Sequence, residues 1–150
     1  SSAAFRNPEV ISEMVRELGK EKVTVAIDVD RNESLPSHYE VYIDGGRTAT
    51  GKDALEWAKT VDSYGVGCIL PTSKATDGAK TGYDLELIRQ IAREVSAPVV
   101  ASGGAGILEH FYEAAKAGAT ILLAASVFHF GTIKIPELKG YLKSRGISIC

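Results

Sequence analysis

The sequence predicts an α/β fold in which parallel strands alternate with helices, and three observations predict it. Short β-branched or apolar runs recur at residues 22–28 (KVTVAID), 68–72, 98–101 and 121–125. Each is followed by a stretch whose apolar residues return at helical spacing. The joins ahead of two strands, Gly65-Val66-Gly67 and Ala117-Gly118-Ala119, are short, glycine-bearing and similar enough to form a weak internal repeat. Strand–helix alternation with short joins lays strands side by side in parallel. Strands covered by helices read as near-continuous apolar runs, as these do.

The elements follow in order. Asn7 is placed to cap a helix with Pro8 at its first position, Val10, Ile11, Met14, Val15 and Leu18 on one face, and Gly19 at its end. After the first strand, Asn32, Pro36 and Ser37 mark a loop, and residues 38–43 running into Gly45-Gly46 predict a short hairpin arm. Thr50-Gly51-Lys52-Asp53 resembles a capping box, so a helix is expected to open at Thr50 and to bury Ala54, Leu55, Ala58 and Val61. Residues 73–82 are polar and glycine-containing, a long loop, after which Asp84 caps a helix carrying Leu85, Ile88, Ile91, Ala92 and Val95. The third strand ends in Ser102-Gly103-Gly104, and a helix over 108–117 stops at Gly118. The fourth strand leads into a short helical turn over 126–130, and Pro136 starts the last helix. The expected order is one helix followed by four βα units.

A closed (β/α)8 barrel needs eight strands in roughly 250 residues. Four parallel strands leave two bare edges, which invite pairing with another chain. The expectation is a half-barrel, one domain over residues 1–150, completed by dimerisation or by belonging to something larger.

The bulk numbers exclude several classes. With 150 residues, 45% hydrophobic and 24% charged, the chain is long enough for a genuine core. A net charge of −2 without a Lys/Arg run argues against nucleic acid. No apolar run reaches membrane-span length, and no signal peptide opens the chain. Cys68 and Cys150 are too few for a disulfide scaffold and lack metal-ligand spacing, which suggests a reducing, cytoplasmic setting. No cofactor and no metal are expected, since no histidine pair has ligand spacing.

Chemistry-bearing residues cluster at strand ends. Alternation puts Thr24, Ala26 and Asp28 on one strand face, with Asp28 at the C-terminal end, where barrels keep their active sites. Read plainly, Asp28 is a loop-capping carboxylate; read functionally, it is an acid or base. Asp77-Gly78, Gly103-Gly104 and Ala125-Ser126 each lie just past a strand. Glycine lets backbone approach a ligand, so these amides with the Ser126 hydroxyl could cradle a phosphate, or the glycines could serve only tight turns. Thr72 and Ser102 end strands with hydroxyls that could bind a polyol or the nearby backbone. His38, His110 and His129 are expected at the surface or in packing, and Trp57 and Tyr112 in the core.

As a set, VAIDVD (25–30), TDGAKTGYD (76–84), ASGGAG (101–106), EHFYEA (109–114) and LAASVFHF (123–130), with the terminal ELKGYLKSRG, resemble the second half of the cyclase subunit of imidazole glycerol phosphate synthase. The resemblance covers essentially the whole chain. It is closer than that to the sister isomerase of the pathway, which shares the SGG and DG-TG features only. It implies a (β/α)8 barrel in which ammonia from a partner glutaminase attacks the keto carbon of a bis-phosphorylated formimino ribulosyl nucleotide. It gives Asp28 the role of one of two acid/base aspartates. Asp77, Gly78, Gly104, Ala125 and Ser126 match a phosphate site, Thr72 and Ser102 match substrate-contacting hydroxyls, and Ser1 and Ser2 match an Asn-Thr pair at the other phosphate site in part. The other aspartate lies on the family's first strand, which has no counterpart here. The loop reads Ser73-Lys74-Ala75-Thr76-Asp77-Gly78-Ala79, losing one carboxylate and one hydroxyl, and Cys68 replaces a gate glutamate. Two readings follow: a cyclase polypeptide or a piece of one, and an engineered, excised or diverged half-barrel that assembles into a symmetric barrel without catalysis.

Overall fold

The first strand sets the frame. In a computed structural model that describes residues 1–150, Thr24–Arg31 form β1, with Val25, Ile27 and Val29 buried and Ala26, Asp28 and Asp30 half-exposed on the opposite face. This period of two is what a strand imposes when one face is packed. Two helices precede it, α1 (Ser2–Arg6) and α2 (Glu9–Leu18), followed by a single 3-10 turn over Lys20–Lys22. The helix expected from Asn7 to Gly19 is α2, starting one position later than expected, and α1 before it was not foreseen. A residue before proline is pushed out of the helical region; Asn7 at φ −140° and ψ 87° ends α1, and Pro8 takes the capping position of α2.

The hairpin arm is longer than expected. Tyr39–Ile43 (β2) pairs antiparallel with β1 from Asp28↔Tyr42 to Arg31↔Tyr39, and Thr48–Asp53 (β3) pairs with β2. The capping box expected at Thr50 does not form. Thr50 Oγ1 instead donates across the hairpin to Val41 C=O at 2.7 Å. A register shift between Glu40 and Tyr42 accompanies Gly51 at φ +73°, the left-handed conformation a bulge of this kind takes. The Gly51 N–H donates to the buried Glu40 carboxylate at 2.6 Å. The cap of the next helix, α3 (Ala54–Ser63), is Asp53, which accepts from the Leu55 and Glu56 amides.

From there the expected alternation holds: β4 (Cys68–Ser73), α4 (Leu85–Glu94), β5 (Val100–Ala101), α5 (Leu108–Ala117), β6 (Ile121–Leu122), a short α6 (Ser126–His129) and α7 (Ile135–Ser144). β1 and β4 run parallel from Thr24↔Cys68 to Val29↔Ser73. Bridges at Ile69↔Val99 and Thr72↔Ser102 join β4 to the third strand, and Val100↔Ile121 and Ala101↔Leu122 join β5 to β6. The spatial order is therefore β3-β2-β1-β4-β5-β6, four parallel strands with an antiparallel arm on one rim.

The core lies between the strands and one layer of helices. Val25, Ile27, Val29, Ile69, Val99 and Ala101 meet Ile11, Trp57, Val61, Ile88, Ile91, Phe111 and Leu142 in one buried cluster. The opposite, inner face has no helices. There Ile121 of β6 is 45% and Leu123, just past its end, 42% exposed, two large apolar side chains left uncovered side by side. No helix is long and apolar enough to cross a membrane.

Candidate functional site

The registers place three predicted residues in one row. Asp28 pairs with Thr72, and Thr72 with Ser102, and paired residues of parallel strands share a face. Neighbouring strands lie about 4.8 Å apart, so the row from Asp28 to Ser102 spans about 10 Å across the C-terminal end of the inner face. Just above Asp28, Asp30 faces the same way and meets Lys74 Nζ at 3.6 Å, and that ammonium also sits 4.1 Å from the centre of the Tyr42 ring. Lys74 thus ties the start of the 73–84 loop to the hairpin arm.

At the Ser102 end the row opens into a cleft of about 210 Å³. Three walls build it: Asp77, Gly78 and Lys80 from the loop after β4; Ser102 to Ala105 after β5; Leu123 to Ser126 after β6. Seven of the eight predicted binding residues line it, all but Thr72, which stands beside Ser102 in the row. The glycines are there for close approach as well as for turning. A Cβ on Gly104 would lie 2.1 Å from the Gly82 carbonyl oxygen, and one on Gly103 would press on Asp77. The loop and the turn are also joined by Gly82 N–H donating to Gly104 C=O at 2.8 Å.

Lys80 and Gly82 are site-building residues that the reading of the sequence passed over, although both lie inside the TDGAKTGYD motif. Lys80 is the one cation in the cleft lining and holds φ +58°. His110, expected only at the surface or in packing, has a positioning part here: its Nδ1 accepts from the Gly106 N–H at 2.9 Å and the Ile107 N–H at 3.3 Å, so it fastens the turn behind Gly104 to the start of α5. His38 pairs with Glu33 at the surface. Tyr83 is buried behind the cleft, and that burial holds its phenol well above the ordinary range. Glycine-rich backbone, the Ser102 and Ser126 hydroxyls and Lys80 form a lining that can offer donors to an anion, with Asp77 the one carboxylate among them. No three His, Cys, Asp or Glu side chains gather where they could hold a metal ion.

Two more open depressions lie elsewhere. One lies at the opposite strand ends, along Gly65-Val66-Gly67 and Ser96-Ala97-Pro98, and its Asp62 carboxylate already accepts from the Ser96 and Ala97 amides. The other follows the C-terminal residues Gly146 to Ile149 and has no charged side chain in its lining.

A family model described as histidine biosynthesis protein matches residues 1–134. The chain belongs to this family. Among family members, it is 52% identical over 149 residues to the imidazole glycerol phosphate synthase subunit HisF of Pyrobaculum aerophilum, and 50% identical over 149 residues to that of Thermococcus gammatolerans. These alignments take in 99% of this chain and 58% of each relative, so the chain spans well under two thirds of the length of the histidine biosynthesis proteins it matches.

Proposed function

We propose that residues 1–150 form one half-barrel domain of a cytoplasmic cyclase, and that two copies close an eight-stranded barrel which performs ammonia-dependent ring closure on a bis-phosphorylated formimino ribulosyl nucleotide. The observation that carries this reading is the in-register row of Asp28, Thr72 and Ser102 leading into the glycine-rich cleft. It offers a carboxylate for proton transfer, two hydroxyls for a polyol and an amide-lined end for a phosphate. In this reading Asp28 is the acid and base. It gives a proton when ammonia adds and takes one when the ring eliminates, and a second Asp28 from the partner copy stands across the same mouth. Asp77, Gly78, Gly103, Gly104, Ala125 and Ser126 hold the phosphate group. The half identity to HisF subunits supports the assignment.

The test is a cyclisation assay with ammonia and that nucleotide. Positioned general acid–base groups contribute about 10²–10⁴-fold to rate, so Asp28→Asn is expected to lower turnover at least about 100-fold with the fold intact by circular dichroism. Equal turnover in the two proteins overturns the assignment of Asp28.

One observation favours a second reading, a symmetric scaffold that binds phosphate without catalysis. Thr24 Oγ1 and Cys68 Sγ lie 2.9 Å apart at the base of the inner face, a neutral pair where the resembled family keeps a gate charge. On this reading no glutaminase docks, and phosphate binding persists while the assay shows no turnover in either protein.

A further inference from the structure

We infer that Tyr83 is a positioning residue whose hydroxyl holds the ends of β5 and β6 apart, so that the Gly103 amide faces the cleft instead of closing the ladder. The inference rests on the phosphate reading of that cleft and names the part that keeps it open.

The ladder between the two strands shows where it stops. Ile121 N–H donates to Val99 C=O at 3.4 Å and Leu123 N–H to Ala101 C=O at 2.9 Å. In a continuing parallel ladder the next bond would run from Gly103 N–H to Leu123 C=O, because slanted bonds alternate evenly between the strands. That bond is absent from the backbone network. The Leu123 carbonyl accepts instead from Tyr83 Oη at 2.8 Å. The chain thus diverges just past Ala101 and Leu122, and Gly103 and Leu123 both become cleft lining.

Tyr83 is built to hold that position. It is 5% exposed and stands edge-on to Phe111, with ring centres 5.8 Å apart at 82°. Phe111 in turn packs on Phe128 of α6, the element that begins at Ser126. On its other side the chain is pinned through Gly82 to Gly104. Tyr83 therefore links all three walls of the cleft without belonging to the lining itself. Burial keeps the phenol protonated, so it remains a donor at and well above neutral pH.

Without the hydroxyl, Leu123 C=O loses its acceptor bond, and Gly103 N–H is the ladder partner left to it. A ligand must then break that bond to use the amide. A single neutral hydrogen bond corresponds to about a fivefold change in affinity.

The experiment titrates inorganic phosphate into the ¹⁵N-labelled full chain and follows the Gly103, Gly104 and Ser126 amides, for the native sequence and for Tyr83→Phe, which keeps the ring against Phe111. The expected result is saturable shifts at these amides in the native chain and about fivefold weaker binding in the variant, with a melting temperature lowered by only a few degrees. Equal affinity in the two proteins overturns the role of Tyr83 alone. No response at these amides in the native chain overturns the phosphate reading and this inference with it. A variant-free measurement runs alongside: Gly103 should exchange its amide hydrogen rapidly without phosphate and slowly with it. Slow exchange in both conditions means the ladder is closed and overturns the inference even if Tyr83→Phe fails to fold.

Discussion

Asp53 accepts three hydrogen bonds with one carboxylate. It accepts from Leu55 and Glu56 N–H at 3.1 Å each, which caps α3, and from Ser37 N–H at 2.8 Å, which fastens the loop before the hairpin. Burial opposes its charge, but the bonds from Ser37, Glu56 and Leu55 outweigh burial and hold its carboxyl below the usual range. A lowered pKa means stabilisation that is complete above the unfolded value near about 3.9 and is lost as pH falls through the lower folded value. Asp53→Ala should cost about 2 kcal/mol by urea denaturation at pH 7, the sum of a lost cap and an orphaned buried amide, and the gap between the two proteins should shrink below about pH 4. Residues of the row that begins at Asp28 were legible beforehand because a strand's period of two is local: Thr24, Ala26 and Asp28 had to share a face. The partners of Asp53 were not, because a cap at Thr50 and a cap at Asp53 differ only in which three residues the chain then lays along β2. Lys80 and Gly82 escaped notice for a related reason, since the fold of the loop over residues 73–82 decides what they face.

At the level of the element, the hairpin is fastened by side chains and only weakly specified by pattern. β3 reads TATGKD, with neither alternation nor β-branched density enough to mark a strand. It becomes one because β2 offers a ladder and Thr50 and Gly51 offer donors to it. β2 is anchored in turn by Tyr39, whose hydroxyl donates to Asp84 Oδ1 at 2.7 Å while Asp84 caps α4 by accepting from Leu87 N–H. Arg31 covers the Tyr39 ring and pairs with Glu86 on the same helix. Burial, followed by the bond to Asp84, raises the Tyr39 phenol above its ordinary range. For a raised pKa the stabilisation is complete below the unfolded value near about 10 and is lost as pH climbs through the folded one. The native chain should therefore lose urea resistance as pH rises above about 10, and Tyr39→Phe should show a shallower loss, with Tyr83 accounting for what remains. Equal slopes in the two proteins would show that the hairpin anchor does not depend on that proton. β5 and β6 were expected as four- and five-residue strands and ladder over only two residues each, because the cleft begins where their pairing ends.

For the whole molecule, the decisive fact is that helices cover one face of the sheet only. The alternation of strand and helix was readable from periodicity, and so was the shortage of strands for closure. The arm on the outer rim was only partly readable, since pairing between distant segments leaves no periodic trace. Ile121 and Leu123 point to the uncovered face beside Leu70 and Val100, and burying them is the gain that closing a barrel offers. In the dimer proposed above, two copies related by a two-fold axis would set β6 of one against β1 of the other. Light scattering at micromolar concentration should give twice the 16.0 kDa chain mass, and Ile121→Lys should return a single-chain mass, since a charge there would be sealed in the closed interior. A native chain of single mass would end the dimer proposal.

The arm's position has a geometric corollary. Because Tyr39 to Tyr42 already occupy the rim of β1 from Asp28 to Arg31, an incoming strand has only Thr24 to Ile27 to dock against. Sliding it upward by one two-residue step would drive it into Tyr42. If two copies close a cylinder as proposed, its seam would be indexed by this built-in stop, and the height at which the halves meet would be decided within a single chain before they touch.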